Sequence, residues 1–151
     1  MSAAMSMQPP AIRIRELDHL VLRVVDLERM LAFYQGVLGC DIERRVDEIG
    51  LVQLRAGRSM IDLVPVSGSL GAAGGAAPGA EGRNLDHLCL RLQDFDEAAI
   101  RAELAAHGIA AGATASRVGA EGPGPSIYIT DPEGNTVELK GPSWPPGAPH
   151  S

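Results

Sequence analysis

Leu17-Asp-His-Leu-Val-Leu-Arg-Val-Val-Asp-Leu-Glu28 has a second copy further along the chain, Leu85-Asp-His-Leu-Cys-Leu-Arg-Leu-Gln-Asp-Phe-Asp96. The two stretches align without a gap and are identical at seven of twelve positions. Agreement at this density indicates an internal duplication, and each copy opens a repeat of about 50 residues. The repeats are predicted to span residues 12–66 and 84–140.

The segment between the repeats, residues 67–83, has Gly, Ala or Pro at 12 of its 17 positions. That composition predicts a flexible linker. Residues 1–11 and 141–151 are rich in Pro, Gly and small side chains, so they are predicted to be tails. Trp144 is the exception, because a lone Trp is expected to pack against the body of the protein or a partner subunit.

Each repeat is predicted to be a β-α-β-β-β module. Side chains alternate along the first strand, and helical spacing follows at Leu27, Met30, Leu31, Tyr34 and Leu38. In the second copy a narrower stripe is predicted at Phe95, Ala99, Ala102 and Ala106, with the helix ending near Gly108. Asp26 and Asp94 are the expected N-caps, and Asp94 with Glu97 has the spacing of a capping box.

Three short strands are predicted after each helix, at about 40–46, 50–56 and 59–65, then 112–117, 125–130 and 135–140. The glycines and prolines of 119–125 predict a mobile rim loop. Because half a sheet with one helix buries little, the halves should associate into an α+β fold, a curved mixed sheet around a cleft.

Composition excludes several classes of protein. The chain has 151 residues and a net charge of -6, so it is expected to form one domain that does not bind nucleic acid. It contains neither an apolar run long enough to cross a bilayer nor a secretory signal at its start, and the expectation is a cytoplasmic protein. Cys40 and Cys89 are too few and too far apart for a disulfide framework.

Strand alternation places one imidazole and one carboxylate of each repeat on a shared face. His19 and His87 point away from the leucines that pack under the helices, and so do Asp62 and Glu138 on the last strand of each half. Two imidazoles and two carboxylates suit a borderline divalent cation and leave positions open for water or substrate. We predict a metal site made of His19, Asp62, His87 and Glu138.

Three further side chains share this face. Arg23 and Arg91 could neutralise an anionic substrate or pair with carboxylates across the sheet. Cys89 could be redox-sensitive, although a buried cysteine is usually inert.

Four motifs together resemble the vicinal oxygen chelate superfamily, which contains glyoxalases, bleomycin-resistance proteins and extradiol dioxygenases. They are Leu17-Asp-His-Leu-Val-Leu, Phe33-Tyr-Gln-Gly-Val-Leu-Gly39, Leu85-Asp-His-Leu-Cys-Leu, and Ser126-Ile-Tyr-Ile-Thr-Asp-Pro-Glu-Gly-Asn-Thr-Val-Glu-Leu139. The resemblance covers residues 16–140.

In glyoxalase I-like members a His and a Glu from each repeat hold the metal, which carries over to His19, His87 and Glu138. Asp62 departs from the pattern, since Glu is usual there. The resemblance implies divalent Ni, Zn, Mn, Fe or Co, a small substrate chelated through adjacent oxygens, and Glu138 as the base of a lactoylglutathione lyase-like reaction. It also implies substrate contacts for Ser126 and Tyr128, which are spaced from Glu138 as in the fosfomycin thiol transferases.

Three alternatives stay open: a thiol transferase, an extradiol-type dioxygenase, and a drug-sequestering protein without enzymatic activity. The transferase lacks an evident lysine partner, since Lys140 is the chain's one lysine. The drug-sequestering relatives typically lack the ligand set and line the cleft with aromatics. Because two small modules leave sheet edges and apolar surface exposed, a homodimer is expected.

Overall fold

The computed structural model describes residues 10–148, so parts of both predicted tails lie outside the described residues. The first half contains five consecutive elements: β1 (His19–Val24), α1 (Leu27–Leu31), β2 (Ile42–Val46), β3 (Leu51–Ala56) and β4 (Ser59–Pro65). A π-helical segment, Ala32–Val37, continues α1.

The second half repeats this order after a short helix. The elements are α2 (Ser69–Ala72), β5 (His87–Arg91), α3 (Glu97–Ala106), β6 (Ala115–Gly119), β7 (Gly122–Thr130) and β8 (Thr136–Lys140). The predicted pair of β-α-β-β-β modules and the α+β class are therefore confirmed.

The modules form two four-stranded mixed sheets, with strand orders β1-β4-β3-β2 and β5-β8-β7-β6. The first strand of each module pairs in parallel with the last, and the remaining pairs are antiparallel. β1 and β5 each occupy one edge of their sheet. Each half thus brings its histidine strand directly beside its carboxylate strand.

Both halves share one hydrophobic core. Leu22 and Leu63 of the first half and Ile127 and Val137 of the second belong to the same buried cluster. The predicted alternation holds on β1, where Leu22 and Val24 are buried while His19 and Val21 are exposed. Apolar burial on the inner faces leaves the opposite faces to the polar residues.

The first helix buries the predicted stripe, including Met30, Leu31 and Tyr34, and begins after the predicted N-cap Asp26, which accepts from the Arg29 amide at 3.1 Å.

Helix α3 departs from prediction in two ways. Its N-cap is Asp96 instead of Asp94, so the proposed capping box is wrong. Of the predicted stripe, Phe95 packs against the core as expected, but the inward side chains of the helix are Ile100 and Leu104, which bury far more apolar area than the predicted alanines. Gly108 follows the helix with a φ of 71°, which a glycine adopts without strain.

The predicted rim loop, 119–125, is wrong. Only residues 120 and 121 separate β6 from β7, and Val118 and Ser116 lie opposite Pro123 and Pro125. A proline offers no N–H, but its carbonyl still accepts hydrogen bonds. Here the Pro125 and Pro123 carbonyls accept from the amides of Gly141 and Trp144, both at 2.8 Å.

Trp144 also packs against the body of the protein, as predicted. Its indole Nε1 donates to Ser116 Oγ at 3.0 Å. None of the helices in residues 10–148 is long and apolar enough to cross a membrane.

The segment predicted to be a flexible linker, 67–83, contains local structure. It forms α2 and a small bridge between Gly79 and Gly82. The Arg23 guanidinium donates to the carbonyls of Gly71, Gly75 and Ala76 at 2.7–3.0 Å. The beginning of the linker is therefore bound to the end of β1.

A buried hydrogen bond joins the two halves. Tyr34 is fully buried and donates its hydroxyl proton to Asp131 Oδ2 at 2.7 Å, across 97 residues of sequence. Burial and the neighbouring Asp131 carboxylate raise the pKa of the Tyr34 hydroxyl, so it stays protonated and acts as a donor.

Tyr34→Phe should lower the free energy of unfolding by about 1–3 kcal/mol, because the buried Asp131 Oδ2 then keeps the Asn135 Nδ2 donor but loses the Tyr34 hydroxyl. Urea denaturation followed by circular dichroism measures the change. Ser69→Ala, which removes an exposed hydroxyl, is the control and should change stability by less than about 0.5 kcal/mol. Equal effects of the two substitutions would contradict the structural role of the Tyr34 bond.

Candidate metal and substrate site

The two repeats present equivalent sets of polar side chains. Val21 lies opposite Asp62 in the β1–β4 pair, and Cys89 lies opposite Glu138 in the β5–β8 pair. His19 and His87 precede Val21 and Cys89 by two residues, so each histidine shares a face with the carboxylate on the neighbouring strand. The predicted shared face is therefore present in each half.

The residue before each histidine fixes its imidazole ring. His19 Nδ1 lies 2.7 Å from Asp18 Oδ2, and His87 Nδ1 lies 2.6 Å from Asp86 Oδ2. A carboxylate on Nδ1 leaves Nε2 as the free nitrogen and makes it a better metal ligand. The hydrogen bond that His19 donates to Asp18, followed by the charge of Asp62, raises the pKa of His19.

In the second half, histidine and carboxylate meet. His87 Nε2 lies 3.3 Å from Glu138 Oε1, and the Glu138 side chain is 7% exposed. Cys89 and Tyr128 flank Glu138 from the adjacent strands. Burial and the Glu138 charge raise the pKa of Cys89 to about 11, so the thiol is protonated at neutral pH.

In the first half, Asp62 is buried with an incomplete set of hydrogen bonds. Its Oδ2 accepts from Gln53 Nε2 at 3.2 Å, while its Oδ1 has no hydrogen-bond partner within residues 10–148. A buried carboxylate oxygen without a donor is costly, and a bound cation would satisfy it. Asp62, although shorter than Glu, thus fits the role of a metal ligand.

The structure does not gather all four predicted ligands in one place. Among residues 10–148 no three His, Cys, Asp or Glu side chains come together in a group that could hold a metal. His19 and Asp62 lie on one sheet, His87 and Glu138 on the other. The four-ligand site therefore stays a prediction. Each half of the protein presents one histidine and one carboxylate of the predicted set.

Ser126 and Tyr128, predicted to contact substrate, lie on β7 opposite Lys140 and Glu138, respectively. Tyr128 packs edge-on against His87 with ring centroids 5.7 Å apart, and Arg117 Cζ lies 4.2 Å above the tyrosine ring centre. Arg117 Nη1 donates to Ser126 Oγ at 2.6 Å. The sequence analysis missed Arg117, because its position on the face depends on the unpredicted β6–β7 hairpin.

The two arginines predicted to bind substrate already have partners. Arg91 pairs with Glu121 at 2.7 Å, which is the carboxylate pairing left open from sequence, whereas Arg23 binds linker carbonyls. Asp18 and Asp86 were also missed as positioning residues. The sequence signal for them was available, since each occupies the same place in the duplicated Leu-Asp-His motif.

Two βαβββ modules, each presenting a histidine beside a carboxylate, define a duplicated α+β fold. The model of the Glyoxalase/Bleomycin resistance protein/Dioxygenase superfamily matches residues 16–139, and the chain belongs to this superfamily.

Three similar proteins illustrate the range of the superfamily. The mitochondrial methylmalonyl-CoA epimerase of Bos taurus is 26% identical over 148 residues, which cover 92% of this chain and 83% of the epimerase. An integron cassette protein of V. cholerae is 26% identical, with a TM-score of 0.67 over 86% of this chain and 97% of its own. The lactoylglutathione lyase of Agrobacterium tumefaciens, 23% identical, shares the fold with a TM-score of 0.61 over 89% of this chain and 96% of its own.

Asp62→Leu should raise the free energy of unfolding of the metal-free protein by about 1 kcal/mol, because it removes a buried oxygen that has no donor. We expect Ni²⁺, Zn²⁺, Mn²⁺ or Co²⁺ to raise the Tm of the parent protein and to leave the Tm of Asp62→Leu unchanged. Differential scanning calorimetry with and without metal measures both effects.

The matched control is Asp47→Leu, which removes an exposed carboxylate and should keep the metal-dependent rise. An Asp62→Leu protein that responds to metal as the parent does would eliminate Asp62 as a ligand.

Proposed function

We propose that this protein is a divalent-metal-dependent enzyme that moves a proton next to a carbonyl group, in a lactoylglutathione lyase-like reaction on a small substrate. The observation that carries the proposal is the buried Glu138 carboxylate 3.3 Å from His87 Nε2, with an equivalent His19 and Asp62 in the other half. A desolvated carboxylate beside metal ligands suits proton abstraction from carbon.

The metal ligands of this enzyme are His19, Asp62, His87 and Glu138. A divalent metal held there would act as a Lewis acid and stabilise the negative charge that develops on the substrate's adjacent oxygens. Asp18 and Asp86 orient the two imidazoles so that each presents Nε2.

Glu138 is the proton-transfer base. It removes the proton from the carbon beside the carbonyl and returns it one carbon away. Tyr128 lies opposite Glu138, and its pKa is raised by burial and by the Glu138 charge. Its phenol therefore keeps its proton and donates to the site, which positions Glu138 and excludes water from one side.

A second candidate is epimerisation next to a thioester carbonyl, favoured by the similarity to the Bos taurus methylmalonyl-CoA epimerase. Epimerisation begins with the same proton abstraction but returns the proton to the opposite side of the same carbon. Asp62 and Glu138 occupy equivalent positions in the two modules, so they would approach a bound carbon from opposite sides.

The other activities have less support. A thiol transferase would use Ser126 and Tyr128 on substrate, but both already contact Arg117. A drug-sequestering cleft lined with aromatics does not suit a chain with five aromatic residues, Phe 2, Tyr 2 and Trp 1.

Metal content by mass spectrometry and turnover of two substrates test the proposal. The methylglyoxal-glutathione hemithioacetal and methylmalonyl-CoA are each assayed in D₂O, so that exchange at carbon reports proton abstraction. His87→Ala should lose metal and turnover, and Glu138→Gln should lower kcat by at least about a hundredfold. His107→Ala, a histidine outside the site, should behave as the parent.

The outcomes separate the candidates. Turnover of the hemithioacetal alone supports the lyase, and turnover of the thioester alone supports the epimerase. Activity that survives complete removal of metal, or exchange that survives Glu138→Gln, would refute the proposed mechanism.

We further propose that two copies of the chain complete the metal centre. β1 and β5 are edge strands of separate sheets, and the exposed histidine strands leave His19 and His87 accessible to a second chain. Val21 and Leu17 on and beside β1 are apolar and 47% and 80% exposed. Pairing the first half of one chain with the second half of another would cover this surface and join the ligand pairs.

Mixing two inactive variants tests this arrangement. One chain carries His19→Ala and Asp62→Leu, and the other carries His87→Ala and Glu138→Gln. The two variants are unfolded and refolded together in equal amounts, so about half of the dimers are mixed. Each mixed dimer has one intact site of two, so activity should recover to about a quarter of the parent's. No recovery, with mixed dimers confirmed by native mass spectrometry, would place the whole site within one chain.

A further inference from the structure

Each predicted carboxylate ligand faces a neutral polar side chain on the adjacent strand. Gln53 lies opposite Asp62 in the β3–β4 pair, and Tyr128 lies opposite Glu138 in the β7–β8 pair. Gln53 and Tyr128 therefore occupy equivalent positions in the two modules. An amide and a phenol both donate hydrogen bonds without carrying a positive charge, so neither neutralises the carboxylate that it faces.

In the first module, the amide of Gln53 makes the two oxygens of Asp62 different. Gln53 Nε2 donates to Asp62 Oδ2 at 3.2 Å. Asp62 is 4% exposed, and within residues 10–148 its Oδ1 has no hydrogen-bond partner. One oxygen is therefore held by a neutral donor, while the other is left for a group that the described chain does not supply.

Arg44 determines which end of the Gln53 amide faces Asp62. Its Nη1 donates to Gln53 Oε1 at 3.5 Å. A guanidinium group only donates and an amide oxygen only accepts, so the Gln53 oxygen faces Arg44 and the NH₂ group faces Asp62. The opposite rotation of the amide would place its oxygen against a carboxylate that has no proton to donate.

A register shift on β2 brings Arg44 to this position. The β2–β3 pairing skips Glu43, so that Arg44 is the residue opposite Gln53. In an unshifted pairing Glu43 would lie opposite Gln53, and its carboxylate would compete for the NH₂ group. Instead Glu43 pairs with Arg55 at 2.8 Å. A bulge that changes the direction of a side chain in this way is common beside functional sites.

The second module brings an arginine to Tyr128 by a different route. Arg117 lies opposite Gly124 on β7, in a β6–β7 pairing that has no register shift. Its Cζ lies 4.2 Å from the centre of the Tyr128 ring, and its Nη1 is held by the carbonyl and hydroxyl of Ser126. Both modules therefore contain an arginine, a neutral donor and a carboxylate in the same order. Because the strands that supply the arginine differ in register, this order does not follow from strand pairing alone.

We propose that Gln53 is a positioning residue for Asp62: it holds Oδ2 and keeps Oδ1 turned into the site, while Arg44 keeps the amide in the required rotation. The use of Oδ1 toward a divalent cation rests on the proposed function. A neutral donor preserves the full negative charge of the carboxylate for a cation, and a carboxylate fixed in advance loses less rotamer freedom when it binds.

NMR of the metal-free, full-length protein tests the hydrogen bonds themselves. The side-chain NH₂ protons of Gln53 should exchange with water at least about tenfold more slowly than those of the exposed Gln93. Asp62→Leu, which removes the acceptor, should make the exchange of Gln53 as fast as that of Gln93. Arg44→Met should also accelerate it. A Gln53 side chain that exchanges as fast as Gln93 in the parent would overturn the proposal.

Metal binding tests the consequence of this positioning. Gln53→Met, which has a similar length but no donor, should weaken Zn²⁺ binding in calorimetry by about 10–100-fold. It should also alter the visible absorption bands of bound Co²⁺, because Asp62 is then free to coordinate through either oxygen. Arg44→Met should change both in the same direction, and Gln93→Met, the matched control, should change neither.

The outcomes separate this proposal from the proposed function. Parent-like Zn²⁺ affinity and Co²⁺ bands in both Gln53→Met and Arg44→Met would overturn the positioning role. Arg44 is exposed, so its variant remains a test even where Gln53→Met is unstable. A parent protein that binds neither Zn²⁺ nor Co²⁺ would refute the proposed function, whereas the exchange rates of the Gln53 side chain decide its hold on Asp62 without any metal.

Discussion

The buried carboxylate of Asp131 is the interaction on which the relation between the two modules depends. It accepts the Tyr34 hydroxyl from the first module and the amides of Glu133 and Asn135 from its own turn. The side chain of Glu133, held by that turn, accepts in turn from the amides of Val25 and Asp26. One β-turn of the second module therefore fixes both the end of β1 and the start of α1.

This arrangement explains how a chain of modest core size holds two small sheets together. Each module alone offers one helix and four strands, and its apolar face is completed by the other module in a single shared core. The opposite faces of the two sheets carry the histidines and carboxylates of the candidate site. Each histidine strand lies beside its carboxylate strand because β1–β4 and β5–β8 pair in parallel.

The sequence predicts what depends on periodicity. Duplication and alternation were enough to obtain both modules, their element order and the faces of His19, Asp62, His87 and Glu138, since these follow from local geometry and repetition. It fails where long-range pairing outweighs local preference. Proline and glycine in 119–125 favour a loop locally. Hydrogen bonds from β6 and from the tail after β8 nevertheless hold residues from Gly122 onward in a strand.

The hydrogen-bond and ion-pair partners of the arginines are the second feature that the sequence does not predict. Arg23, Arg91 and Arg117 look alike in sequence, and only the fold shows that the first binds carbonyls and the second a carboxylate, while the third stacks on Tyr128. Strand parity assigns a side chain to a face, whereas its charge partner depends on the fold; Glu121, the partner of Arg91, lies 30 positions away in sequence. Assigning site residues therefore required the register of every strand.

The close fit between Arg23 and the linker restricts which residues can occupy this low-complexity segment. A side chain on Gly71 would overlap the Pro65 carbonyl, and one on Gly74 would overlap Arg23 Nε. Both glycines are therefore sterically required. Residues 79–82 are exposed and lie beyond this fit, so we expect new termini to be tolerated there. A circular permutant opened there would place the second module first while keeping the segment that contacts Arg23 intact.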